Sequence, residues 1–96
     1  MWARVSSYQG SPEQADAAAS RLPEQALREM SGFERAYLLV DRESGKALTI
    51  TLWESEDALR ESEERANQLR SQVAEDLGAT GTPMIDRYEV GGVIEK

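Results

Sequence analysis

The stretch Ile50-Thr51-Leu52-Trp53-Glu54-Ser55-Glu56-Asp57-Ala58-Leu59, ITLWESEDAL, changes period in its middle. Up to Trp53 apolar and polar residues alternate, the pattern of a strand with two unlike faces. From Ser55 onward a side chain suited to capping is followed by Glu56 and Asp57, acids that favour the positive end of a helix dipole, and then by apolar residues at helical spacing. Trp53 therefore stands where a strand gives way to a helix, and the chain is read as α+β.

Working outward, Lys46 to Trp53 alternates strictly, with Leu48, Ile50 and Leu52 opposed to Ala47, Thr49, Thr51 and Trp53. Before it, Arg42-Glu43-Ser44-Gly45 supplies a turn in which Gly45 can take positive φ, and the β-rich run Phe33 to Asp41 supplies the second arm of a hairpin. After it, Leu59, Ser62, Ala66, Leu69, Val73 and Leu77 step by three or four residues until Gly78, which predicts one long amphipathic helix. Thr80 to Pro83 reads as a loop, Met84 to Val90 as a last strand, and Gly91-Gly92 as its end. At the other terminus, Met1 to Tyr8 alternates as a first strand. Ser11, Pro12 and Gln14 then open a helix whose stripe runs through Ala15, Leu22, Ala26 and Met30, with a kink or restart expected at Pro23 and an end at Gly32. The order strand, helix, strand, strand, helix, strand is the ferredoxin-like arrangement: a four-stranded antiparallel sheet with two helices on one face.

Composition narrows the function classes. The 96 residues form one domain, and 40% apolar with 30% charged residues is a globular balance. A net charge of -7 with no basic block disfavours nucleic acid and anionic membranes as partners. There is no cysteine, which removes disulfides and thiolate chemistry and fits a cytoplasmic location. There is no histidine, so the usual haem ligand, the commonest zinc ligand and the usual neutral-pH base are all missing; neither a metal nor another cofactor is expected. No secretory leader or membrane-spanning segment is expected in MWARVSSYQG or beyond it.

The two sets of each strand pose the question of faces. Leu48, Ile50 and Leu52 are the expected helix-facing set. That leaves Thr49, Thr51 and Trp53, with Trp2, Arg4 and Ser6 of the first strand, on the opposite face. Two tryptophans on an open sheet face call for a partner or a ligand, and a face-to-face homodimer would cover them.

The segment GFERAYLLVDRESGKALTITLWESEDALRESEE, Gly32 to Glu64, resembles the core of the antibiotic biosynthesis monooxygenase family of dimeric α+β barrels. The likeness lies in a Gly-Phe pair opening a strand, a glycine hairpin, and a strand ending in Trp-Glu-Ser before an acidic helix. It implies one such domain over 1–96 and a homodimer with a cavity between sheet and helices or within the barrel. Family members include cofactor-independent oxygenases of aromatic polyketides and haem-degrading enzymes. The haem degraders use a histidine, which this chain lacks. The oxygenases hold an ionisable aromatic with Asn, Trp, Tyr and Arg side chains. By residue type, the resemblance points to Trp53, Arg4, Tyr37, Asn67 and Arg87 as ligand-binding candidates, with Trp53 matching the strand-end tryptophan.

Each candidate has a plainer reading. Trp53 and Trp2 can be core packing; Arg4 can pair with Glu89 as a structural ion pair; strand tyrosines such as Tyr8, Tyr37 and Tyr88 are common for packing; Asn67 can sit on the rim or on the surface. Three functions stay open: an oxygenase that acts on a small phenolic compound without metal or flavin, a non-catalytic ligand-binding dimer, and a structural dimer with a filled interior. A cavity of at least about 300 Å³ beside Trp53 would separate the first two from the third.

Overall fold

The computed structural model describes residues 1–96. Strand β1 (Trp2–Gln9) is followed by a short 3-10 turn (Pro12–Gln14), helices α1 (Ala15–Ser20) and α2 (Glu24–Arg28), the hairpin β2 (Phe33–Val40) and β3 (Lys46–Trp53), helices α3 (Glu56–Glu61) and α4 (Glu63–Asp76), and β4 (Thr80–Glu89). The strands form one sheet in the order β2-β3-β1-β4, every neighbouring pair antiparallel. The fold is the α+β ferredoxin-like arrangement that the element order implies.

The breaks in the helices have local causes. At Pro23 the missing N–H and the ring end α1 and start α2 afresh. At Ser62 the hydroxyl donates to the Leu59 carbonyl at 2.7 Å, competing with the backbone ladder and bending the segment between α3 and α4. Ser55 caps α3 by accepting from the Ala58 N–H at 3.1 Å. Gly45, at φ +80°, turns the hairpin; a Cβ there would stand 2.3 Å from the Gly10 carbonyl oxygen, so glycine is required sterically as well as conformationally. Strand β4 begins at Thr80 rather than Met84 and runs through Pro83. It is an edge strand, where a residue without an N–H is tolerated, and its register against β1 shifts between Ser7 and Gln9.

The faces of the sheet are the reverse of the expectation. The helices cover Trp2, Arg4, Ser6 and Tyr8 of β1 and Ala47, Thr49, Thr51 and Trp53 of β3, which the register pairs one to one. Trp53 packs on Ala58 and Leu59, and Tyr8 on Ala18, Val73 and Leu77. Leu48, Ile50 and Leu52 lie instead on the open face, in register with Leu39, Tyr37 and Arg35 of β2. Alternation separates two sets without saying which meets the helices, and the more apolar set is the wrong choice here. The apolar core is accordingly small and divided. One cluster gathers Tyr8, Ala18, Ala47, Val73 and Leu77; the other gathers Trp53, Ala58 and Leu59, with Trp2, Met30 and Phe33 against it.

Candidate functional site

Between the two clusters the sheet and helices stand apart, bridged by the hydrogen bond from Arg70 of α4 to Ser6 of β1. A cavity of about 460 Å³ opens there, within the range of small-molecule sites. Its floor is the inward face of the central strands: Arg4, Ser6 and Tyr8 on β1, with Thr49, Thr51 and Trp53 on β3. Its walls are Ala66, Leu69, Arg70 and Val73 of α4 and the segment from Ala19 to Arg28 around α1 and α2, with Phe33 on β2 near one end. Hydroxyls rather than aliphatic side chains line the middle of the sheet, so the space is both roomy and polar underneath.

Trp53 closes one end and has no solvent-exposed surface. Its indole N–H donates to the Thr51 hydroxyl at 2.9 Å, so that donor is already engaged. The ring meets Phe33 edge to face at a centroid distance of 5.5 Å and carries the Arg4 guanidinium 5.7 Å from its own centroid, both favourable aromatic geometries.

Arg4 is 3% exposed and held from α3 and α4. Its Nη2 donates to the Leu59 carbonyl at 2.8 Å, to the Ser62 hydroxyl at 3.0 Å and to the Glu63 carboxylate at 3.0 Å. Glu63, rather than Glu89, is thus its ion-pair partner. Arg87 reaches the same carboxylate with two parallel bonds, Nε to Oε1 at 2.6 Å and Nη2 to Oε2 at 2.7 Å. Arg87 above all, and then Arg4, hold the Glu63 carboxyl at about 2, against its partial burial, which opposes ionisation. Arg87 takes no part in lining the cavity.

Arg70 was not among the residues singled out from the sequence, yet it is the most informative one. It is 8% exposed and projects from α4 over the polar floor. Its Nε donates to the Ser6 hydroxyl at 3.2 Å and its Nη1 to the Asn67 side-chain oxygen. Its Nη2 is buried with no partner in the protein, and no carboxylate pairs with it. Burial lowers its pKa from the ordinary arginine value, an effect the nearby Tyr8 partly offsets, and a guanidinium so placed remains charged. Burial also raises the Tyr8 phenol, whose weak 3.5 Å contact with the Thr49 hydroxyl pulls the other way, so Tyr8 stays a neutral hydroxyl at pH 7. The helical spacing contained a signal for Arg70: it lies four residues after Ala66 and three before Val73, on the stripe that faces the sheet.

The remaining candidates fall outside the cavity or at its edge. Asn67 is exposed and touches the site only through Arg70. Tyr37 belongs to the open face, where its hydroxyl accepts from Arg35 Nη1 at 3.0 Å, and it borders the cavity from the strand that carries it. No group of three or more His, Cys, Asp or Glu side chains is placed to hold a metal ion, and no helix is long and apolar enough to cross a membrane.

With this geometry in place, comparison with known proteins places the chain. A family model described as antibiotic biosynthesis monooxygenase matches residues 1–74. The chain belongs to that family. An uncharacterised Mycobacterium tuberculosis protein, Rv2557, is 35% identical over 68 residues, which is 71% of this chain and 30% of that protein, so the chain spans under a third of the relative's length. Among solved structures, a monooxygenase from the gene ActVA-Orf6 of Streptomyces coelicolor, in complex with the ligand nanaomycin D, superposes with a TM-score of 0.76 at 22% identity, covering 99% of this chain and 91% of that one. SnoaB, a cofactor-independent oxygenase from Streptomyces nogalater, superposes with a TM-score of 0.68 at 19% identity over 99% and 97% of the two chains. At these identities the likeness is one of fold.

Two predictions follow from the packing of this family member. Trp53→Phe removes a fully enclosed indole together with its bond to Thr51 and should cost about 1–3 kcal/mol in denaturant unfolding at fixed protein concentration, with Trp2→Phe, at a partly exposed position, costing less. An unchanged Trp53→Phe midpoint would contradict the packing assigned to it. For Glu63, the folded pKa of about 2 lies below the ordinary 4.5, so its contribution is fully present above pH 4.5 and is lost as pH falls towards 2. Glu63→Gln should therefore lower the thermal midpoint at neutral pH and flatten the acid limb in that window; parallel wild-type and variant curves from neutral pH down to about 2 would refute the coupling.

Proposed function

We propose that the chain binds a small planar phenolic compound in the cavity between sheet and helices and oxygenates it without a metal or flavin. The observation that carries this reading is the 460 Å³ cavity itself, whose aromatic end at Trp53 and Phe33 suits a flat ring and whose hydroxyl floor of Ser6, Tyr8, Thr49 and Thr51 suits ring oxygens. Family membership and the fold shared with two oxygenases support the same reaction class.

In that reaction the substrate supplies every electron. Dioxygen places one oxygen atom on a ring carbon as a carbonyl, the other leaves as water, and a phenol becomes a quinone, so the sum is phenol plus dioxygen to quinone plus water. The protein's share is to hold the ring, to exclude bulk water, and to favour the electron-rich form of the ligand through fixed dipoles and charge. The second reading, a ligand-binding dimer without turnover, uses the same cavity and differs only in the absence of oxygen uptake.

The test is calorimetric titration with planar phenols and naphthols, followed by oxygen-electrode measurements on those that bind. Saturable binding with consumption of one dioxygen per quinone formed is the expected result. Binding without oxygen uptake would favour the second reading, and no binding by any planar phenol would sink both.

We also propose that the protein is a homodimer built on the open sheet face. Tyr37, Leu39, Met84 and Tyr88 are exposed there, around the half-buried Leu48, Ile50 and Leu52. A patch of this kind on a free monomer is unfavourable in water. Light scattering should give twice the chain mass for the wild type and the chain mass for Ile50→Lys. A monomeric wild type at micromolar concentration would overturn the proposal.

A further inference from the structure

The walls of the cavity are unequally tied. Both floor strands, β1 and β3, are bonded to a neighbouring strand on each side. The long helix α4 reaches the floor through the bond from Arg70 to Ser6, and the Trp53 and Tyr8 clusters fill the two ends. The wall from Leu22 to Glu29, which carries α2, differs from all of these: every hydrogen bond and ion pair it makes stays between Leu22 and Met30. Gln25 bonds Glu29, Arg28 pairs with Glu24, and the Leu27 N–H donates to the Pro23 carbonyl. No residue of α2 is buried.

The two ends of this wall are fixed. Before it, the Arg21 N–H donates to the Ala18 carbonyl, and its side chain pairs with Asp76 at 3.7 Å. After it, Met30 packs against the Trp53 cluster, and the Gly32 carbonyl accepts from the Glu54 N–H at 2.8 Å. Gly32 sits at φ +76°, and a Cβ there would stand 2.5 Å from the Ala58 Cβ, so this pivot needs glycine for both backbone and space. A short segment with fixed ends and no bonds outward opens at far lower free energy than the rest of a fold.

It also stands at the open side of the cavity. Ser20, Leu22, Glu24 and Arg28 are exposed on one lip, and Glu34 to Tyr37 of the edge strand β2 are exposed on the other. With floor, α4 and both ends closed, a planar ring passes between α2 and β2. Leu22 and Leu27 present apolar surface to that passage, partly in water, and a ring seated beneath them would cover it. We infer that Leu22 to Glu29 is the gate of the cavity, swinging between Arg21 and Gly32 to admit a planar ligand and closing Leu22 and Leu27 over it. This rests on the cavity reading above and adds how the site is entered. Pinning the segment where the structure has it slows entry and release by one factor and so leaves affinity unaltered.

The chain has no cysteine, so a pair can be introduced without rivals. Gln25 of α2 and Gln72 of α4 are exposed and border one surface groove, and a short bis-maleimide with a reducible spacer across Gln25→Cys and Gln72→Cys ties the segment to the rigid helix. Stopped-flow fluorescence with 2-naphthol should give entry and release rates lower by on the order of tenfold in the linked protein, an unchanged equilibrium affinity, and wild-type rates once the spacer is reduced. In the wild type, the amides of Leu27, Glu29 and Met30 should exchange with solvent ahead of those in the middle of α4, and should slow when 2-naphthol is saturating. Linked protein with wild-type rates overturns the gate and leaves the cavity reading standing. Exchange that saturation leaves unchanged does the same, and it decides alone if the link does not form. A wild type that binds neither 2-naphthol nor any other planar phenol overturns the cavity reading and the gate together.

Discussion

The arrangement depends on a buried cation at position 4. A guanidinium 3% exposed under a sheet must be satisfied from the layer above it, and Arg4 finds the Leu59 carbonyl, the Ser62 hydroxyl and the Glu63 carboxylate, all at the bend between α3 and α4. That anchors the start of α4 over β1. Once the helix starts there, Ala66, Leu69, Arg70 and Val73 follow about one, two and three turns along and face the same strands. Arg87 on β4 completes the bend by gripping Glu63 from the sheet edge, so one carboxylate joins a central strand, an edge strand and a helix. The cavity is the space left between this fixed end and the Tyr8–Leu77 cluster at the other.

Much of the fold was legible because local chemistry and global position agree. The hairpin is encoded by Gly45 at positive φ and by the strict alternation of Lys46 to Trp53, and β3 has those limits. The cap at Ser55, the restart at Pro23 and the closing glycines at 32 and 78 are each a matter of one residue's backbone chemistry, which acts in any context. The early start of β4 was hidden because Pro83 argues against a strand unless that strand is known to be at an edge, and edge position is a property of topology.

The site was less legible, and the sheet faces explain why. Leu48, Ile50 and Leu52 look like a core and lie on the open face, whereas Arg4, Ser6, Thr49 and Thr51 look like a surface and lie under the helices. Hydrophobicity assigns the inner face correctly when the interior is filled with side chains. It misleads when the interior contains a cavity with polar needs and the outer face is itself apolar. Trp53 was found for its place at the strand end, Arg4 by its residue type, on a face expected to lie away from the helices. Arg70 was not singled out, because arginines on amphipathic helices are ordinarily solvated, although its spacing from Ala66 and Val73 places it on the stripe that faces the sheet.

The polar floor bears on why such a protein keeps an unfilled middle. Threonine and valine have nearly the same shape, and two helix-facing threonines, Thr49 and Thr51, could be valines without loss of strand propensity. Apolar side chains at these positions and at Ser6 would close the gap between the two small clusters and would leave Arg70 without its Ser6 partner. A chain shaped by stability alone would lose the arginine along with the hydroxyls, because a buried cation lacking a counter-charge opposes folding. Retaining both makes sense if the hydroxyls and the guanidinium that bridges to them keep a space for something that arrives from outside. On that view the divided core is a condition of the site: the 460 Å³ that separates the clusters can be occupied only if neither cluster reaches across it.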